Sequence, residues 1–207
     1  MSKVIGYLGL LAAIFLIASC SSGSSSGSSS RASSHTSATP QASSASQSIA
    51  PKPTAFTSTT YGYTLTVPAG LTSRQAFAKW DGESELNGDS AEVDLIGDPG
   101  DTSGVWAAAA PSKRDLVAET AYAITWNAHY HGDYCPQRPD ITTRITVGGQ
   151  PGVLLAYNCG ILVNTAVTVA HGVDYWFVFV DRSVAAATTP TDHATFMKIL
   201  SSVQFSG

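Results

Sequence analysis

The stretch "VTVAHGVDYWFVFV", Val167–Val180, reads as two strands around a tight turn and decides the architecture. Leu162–Ala170 and Tyr175–Val180 are the predicted strands, with His171-Gly172-Val173-Asp174 as the hairpin turn between them. In Tyr175-Trp176-Phe177-Val178-Phe179 large side chains occupy both parities of the strand. Successive side chains of a strand point to opposite faces, so both faces must be covered. That pattern belongs to a central strand in a sheet with helices on both sides.

Working upstream, Ile141–Val147 and Val153–Asn158 flank Gly148-Gly149-Gln150-Pro151, a second hairpin. Before it, Ser112 is placed to cap a helix, with Asp115 as a weaker form of the capping-box Glu. Leu116, Val117, Ala121, Ile124 and Ala128 fall on one helical stripe, which predicts a helix over 113–128. It should end before Gly132, read as a left-handed stop. Tyr61, Tyr63, Leu65 and Val67 alternate with small polar residues, the period of a half-buried strand, until Pro68 and Gly70 stop it. Ala91–Ile96 alternates again, Gly97-Asp98-Pro99-Gly100 is a turn, and Val105–Ala110 is a further strand. Downstream, Thr191–Ser202 reads as a helix with Ala194, Met197, Ile199 and Leu200 toward the core, and Val203-Gln204-Phe205 leaves it extended. The expected fold class is α+β, a central antiparallel β-sheet flanked by α-helices in an α/β/α sandwich. Residues 55–207 form one such domain, large enough for a single core.

The N-terminus sets the expected compartment. Lys3 supplies a short positive region, and Val4–Ala18 is apolar apart from Gly6, Tyr7 and Gly9. That run is short for a transmembrane helix and ends in small residues, as a cleaved signal peptide does. Ile17-Ala18-Ser19-Cys20 resembles the lipobox of a bacterial lipoprotein: an aliphatic residue, two small residues and a cysteine. Residues 1–19 are then a signal peptide and Cys20 the lipidation site, placing the protein on the extracytoplasmic face of the cell membrane. The alternative is an ordinary secretory signal with an incidental cysteine. Residues 21–50 are dominated by Ser, Gly, Ala and Thr, with no larger aliphatic side chain before Ile49. Such a segment buries too little apolar surface to offset its ordering entropy. Residues 20–54 are therefore read as a lipidated cysteine and a disordered Ser-rich tether, with a span of roughly 30 Å as a Gly/Ser coil.

The formal net charge is −4, and the 11 Lys and Arg are scattered. Phosphate backbones need clustered cations, so nucleic acid is not an expected partner.

The pieces "YGYTLTVPAG", "PSKRDL" with its following helix, "ITVGGQPGVLLAY", "VTVAHGVDYWFVFV" and "HATFMKILSSVQF" occur in that order. Together they resemble the PsbP-like superfamily, including its bacterial lipoprotein branch, over residues 56–205. The resemblance implies a central antiparallel sheet between helical layers. It also implies a binding or assembly module without enzymatic activity or cofactor, and it offers no catalytic residues to carry over.

Two features invite chemistry. In "HYHGDYC", His129, His131, Asp133 and Cys135 recur at alternate positions, which in an extended chain would converge on one cation. That geometry conflicts with a helix ending there, where a histidine suits the negative end of the dipole. No second His/Cys cluster exists, since His35 is in the tether and His171 and His193 are separated by a strand; no metal is expected. Of the three cysteines Cys20 is taken by lipid, and Cys135 and Cys159 are most simply a disulfide in an exported domain. Asp94, Asp98 and Asp101 lack the ordered ligands of a calcium loop and read as a solvated acidic loop. No Gly-x-Ser-x-Gly elbow is present to support hydrolysis.

Trp80 and Trp106 are the candidate binding surface, each expected to be half exposed beside Gly-rich polar sequence, with plain core packing as the alternative. Two functions follow. The first is a membrane-anchored module that binds other envelope proteins. The second is a carrier or sensor of a small apolar or lipid ligand held between sheet and helix.

Overall fold

The computed structural model describes residues 51–97, 103–181 and 190–206. In chain order the elements are β1 (Thr54–Ser58), β2 (Tyr63–Val67), β3 (Thr72–Arg74), β4 (Asp94–Gly97), β5 (Ser103–Pro111), α1 (Leu116–His131), β6 (Ile141–Val147), β7 (Gln150–Asn158), β8 (Leu162–Ala170), β9 (Val173–Asp181), α2 (Pro190–Ser202) and β10 (Gln204–Phe205). They build two antiparallel sheets, one of seven strands in the order β3-β4-β5-β9-β8-β7-β6 and one of three in the order β1-β2-β10. The fold is α+β, with strands outweighing helices.

The hairpins lie where the sequence places them, with tighter turns. β8 and β9 pair from Leu162↔Asp181 to Ala170↔Val173, leaving only His171 and Gly172 in the loop. Both have positive φ, 51° and 76°, the conformation of a type I′ turn whose twist matches the flanking strands. β6 and β7 close around Gly148 and Gly149 with φ 55° and 81°. The two glycines have different reasons. A Cβ on Gly148 would come within 2.7 Å of the Val203 carbonyl and 2.9 Å of the Phe205 ring, whereas one on Gly149 would meet nothing within 4 Å. Gly148→Ala should therefore cost more than about 1 kcal/mol, and Gly149→Asn only a few tenths. Urea denaturation of both variants checks this, and equal losses would contradict it.

β9 is the central strand, buried on both parities from Asp174 to Asp181. Trp176 lies against Tyr122 and Trp126 of α1, with ring centroids 6.1 and 5.3 Å away. On the opposite parity Phe177 and Tyr175 meet Tyr63 of β2 at 5.6 and 6.2 Å, and Phe179 stacks on Phe196 of α2 at 5.4 Å. The two sheets are also joined by a polar tie: Tyr63 donates its hydroxyl to Asp94 of β4 at 2.7 Å.

Several expectations need correction. The first predicted strand starts at Tyr63, because Tyr61 lies in the turn closed by Gly62 N–H donating to the Ser58 carbonyl. Helix α1 begins three residues later than predicted, capped by Asp115, whose side chain accepts from Ala118 N–H; the Ser112 hydroxyl instead donates to the Arg114 carbonyl. It continues to His131, and Gly132 is right-handed (φ −63°), not left-handed. Glycine is needed there because a Cβ would collide with the Ala128 carbonyl oxygen. The buried residues of α1 are Glu119, Ala123, Trp126 and Asn127, not the aliphatic stripe; Val117 is 80% exposed. In α2 the core positions are Phe196, Ile199 and Leu200, while Ala194 is exposed. Asp94 is buried, accepting from Tyr63 and from Ala76 N–H, so it belongs to no solvated loop. Asp98 and Asp101 lie outside the described residues.

Candidate functional site

The most elaborate constellation surrounds α1, and it starts from an aromatic stripe. Tyr122, Trp126 and Tyr130 recur every four residues and so share one helix face. All three donate to backbone carbonyls of one loop: Tyr122 to Gly82 at 2.8 Å, Trp126 to Glu83 at 3.2 Å and Tyr130 to Glu83 at 2.9 Å. The loop is ordered from within by Asp81, whose carboxylate accepts from the Glu83 and Ser84 N–H groups, both at 2.8 Å. Those hydrogen bonds to its charged form hold the Asp81 pKa below the usual value.

Beside this stripe, Glu119 is buried within the domain. Trp176 donates its indole N–H to one carboxylate oxygen at 2.8 Å, and Arg114 pairs with the other at 3.1 Å. Arg114 also lies 3.8 Å above the Tyr122 ring. Burial raises the Glu119 pKa; Trp176 opposes this, the Asp174 charge adds to it and Arg114 lowers it. Glu119, Asp174, Arg114, Trp80 and Gly82 line a cavity of about 170 Å³.

At the other end of α1, "HYHGDYC" is helical through His131, so its alternate residues do not share one side. His131 packs edge-on against Trp126 at 5.4 Å and lies within hydrogen-bond reach of the Tyr134 hydroxyl. Burial lowers its pKa, with Glu85 opposing. Among the described residues no group of three His, Cys, Asp or Glu is placed to hold a metal. Cys135 and Cys159 form the expected disulfide, with Cα atoms 4.3 Å apart. It ties the end of α1 to the end of β7 and borders a cavity of about 120 Å³ lined by Trp106, Trp126, Asn127 and Val178.

A groove of about 710 Å³ lies between the start of α1 and the β6–β7 hairpin. Leu116, Val117 and Thr120 form its helical wall, while Thr142, Arg144 and Val153 lie on the sheet side. Among the described residues, its exposed Val117 is one of four large hydrophobic side chains open to solvent, with Phe77, Tyr134 and Ile141.

The two tryptophans read as a binding surface part company: Trp106 is half-buried, as expected, and Trp80 is not. Trp80 is 3% exposed: its indole N–H donates to the Ser84 carbonyl at 2.9 Å and its ring packs on Trp176 at 5.1 Å. It is a core residue because its polar sequence neighbours form the ordered loop and leave its ring facing inward. Trp106 is half-buried beneath Gly88, where a Cβ would come within 2.8 Å of the indole nitrogen, and forms part of the small cavity's wall. Cys20 and the residues read as a signal peptide, with most of those read as a tether, lie outside the described residues. Among the described residues no helix is long and apolar enough to cross a membrane.

A seven-stranded antiparallel sheet, with a three-stranded sheet closed by the last strand and a helix between β5 and β6, defines a PsbP-like fold. The solution structure of cyanobacterial PsbP (CyanoP) from Synechocystis sp. PCC 6803 aligns with a TM-score of 0.53 over 81% of this chain and 99% of its own, at 14% identity. At that identity the likeness is one of fold. A protein from Bacteroides thetaiotaomicron VPI-5482 aligns over 75% of this chain and 49% of its own, with a TM-score of 0.45 and 9% identity, a likeness too slight to bear on the architecture. No family model matches the chain, and no curated protein matches it in sequence.

Proposed function

We propose that the chain is an extracytoplasmic lipoprotein whose domain, from about residue 55, is a non-catalytic protein-binding or assembly module of the cell envelope. The observation that carries the binding role is the exposed groove, whose wall includes Leu116 and the 80% exposed Val117. Apolar side chains held open on a folded domain mark contact sites more often than scattered surface residues do. The PsbP-like fold supports a module of this kind. The ring contacts of Trp176 with α1 and of Phe179 with α2 support reading the whole as an α/β/α sandwich.

Anchoring rests on Ile17-Ala18-Ser19-Cys20 after a short apolar run. Each buried methylene contributes about 0.8 kcal/mol, so two or more acyl chains hold a protein stably at a bilayer. Metabolic labelling with a clickable fatty acid should mark wild type and leave Cys20→Ala unlabelled, as an uncleaved precursor or released into the medium. An unlabelled wild type, processed and located like the variant, would overturn the anchor.

A second reading, a carrier or sensor of a small apolar or lipid ligand, is favoured by the groove's volume, which lies in the range of ligand pockets. Native pull-down of the lipidated protein, with mass spectrometry of proteins and lipids together, separates the two. A stoichiometric envelope protein supports the module, and a stoichiometric lipid without a protein supports the carrier.

A further inference from the structure

β6 is an outer strand of the seven-stranded sheet, and among the described residues no strand pairs with its far edge. The β6–β7 turn determines which backbone groups face outward. Val147 and Gln150 flank a two-residue loop and form a hydrogen-bonded pair. In an antiparallel ladder such pairs alternate, so Val147, Ile145 and Thr143 direct their N–H and C=O groups toward β7. Thr142, Arg144 and Thr146 direct theirs outward. These same three residues line the groove against α1, and all three are exposed. Among the described residues Arg144 has no carboxylate partner.

We propose that the β6 edge and the adjoining groove accept an extended segment of a partner protein as an added strand, apolar at alternate positions with a carboxylate side chain opposite Arg144. Main-chain bonds to Thr142, Arg144 and Thr146 hold the segment, since strand addition takes its affinity from the backbone and its specificity from pockets for alternate side chains. A residue bonded opposite Arg144 has its side chain on the same face as Arg144, toward α1. Its neighbours two positions away then lie along the groove whose helical wall carries Leu116 and Val117. The exposed guanidinium, without a carboxylate partner among the described residues, is the charged group lining the groove and selects the carboxylate. The inference rests on the protein-binding reading and specifies the partner's chemistry.

The test uses the signal-free protein and a heptapeptide of threonine carrying valine, glutamate and valine at successive alternate positions. The control peptide has the same composition with those three residues contiguous, which splits them between two faces. In the free protein the amides of Thr143 and Ile145 should be protected from hydrogen exchange and those of Thr142, Arg144 and Thr146 should not. The alternating peptide at about 1 mM should slow exchange at Thr142, Arg144 and Thr146 at least about tenfold, and the control should not. Arg144→Glu should weaken binding at least about tenfold through charge reversal. Thr142→Pro should do the same by removing an outward N–H while leaving the β6–β7 ladder intact. No slowing with the alternating peptide overturns the inference. So does protection that grows with protein concentration without peptide, which would make a second copy the occupant. Perturbation of the groove by palmitate but by neither peptide overturns it in favour of the carrier. An envelope protein captured in pull-down alongside a failed peptide test would leave the module reading standing and remove this site from it.

Discussion

Trp176→Ala should lower the unfolding free energy by about 3–5 kcal/mol, measured by urea denaturation with far-UV circular dichroism. The indole is 1% exposed and sits among Trp80, Tyr122 and Trp126, with centroids 5.1, 6.1 and 5.3 Å away. Truncation opens a cavity where four aromatic rings meet, and side chains held by hydrogen bonds to the loop at Gly82 and Glu83 cannot collapse into it freely. It also takes the N–H donor from Glu119, leaving a buried carboxylate held by Arg114 alone on its other oxygen. Trp176→Phe separates the two contributions. It keeps most of the ring packing and loses the hydrogen bond, so about 1–3 kcal/mol should be lost. A Trp176→Ala variant within about 1 kcal/mol of wild type would mean that this cluster is not the centre of the core.

Removing the Cys135–Cys159 bridge should be the next largest change. Its loop of 24 residues corresponds to roughly 3 kcal/mol in the chain-entropy account. Cys135→Ser with Cys159→Ser should lower stability by that amount, while wild type shows the same loss under reducing denaturation. The location predicts where the effect is felt. The bridge secures the turn in which the Tyr134 and Cys135 N–H groups donate to the His131 carbonyl, so exchange of those amides should accelerate before that of β8 and β9. Unchanged stability in the double variant would assign the end of α1 to packing alone.

What was legible in the sequence follows from how local each signal is. The β6–β7 and β8–β9 hairpins could be read because strand pairing there is set by a turn and by alternation within a few residues. The double-faced burial of β9 could be read from its aromatics alone. The helix face could not. Counting aliphatic residues pointed to Leu116, Val117 and Ile124, yet Val117 is exposed. The true contact stripe is aromatic and charged, Glu119 and then Tyr122, Trp126 and Tyr130, and a polar residue is a core residue only when its partners are known. Arg114 and Trp176 are those partners, and Trp176 lies 57 residues away from Glu119. The four-residue recurrence of Tyr122, Trp126 and Tyr130 was the available signal. Trp80 misled for the same reason: its neighbours are polar, but they fold into a loop that leaves its ring in the core. The groove was invisible because its two walls come from separate elements, and no periodicity reports a gap between them.

The three-stranded sheet has a consequence for how the chain reaches its native state. β2 cannot complete its pairing until β10 exists: Gln204 pairs with Thr64, Phe205 with Tyr63, and Ser202 accepts from Thr66 N–H across 136 residues. A chain that emerges N-terminus first therefore presents Tyr63, Leu65 and Val67 long before their last partners are made, while the successive hairpins from β6 to β9 close on local contacts. Pairings of such high sequence separation form slowly because loop-closure entropy precedes their reward. The late step in refolding should accordingly be the pairing of β10 with β2, and deletion of β10 should delay β1 and β2 more than the central sheet. β10 thus acts as the clasp of the fold, and the interval before it arrives is when the protein is most exposed to misassembly.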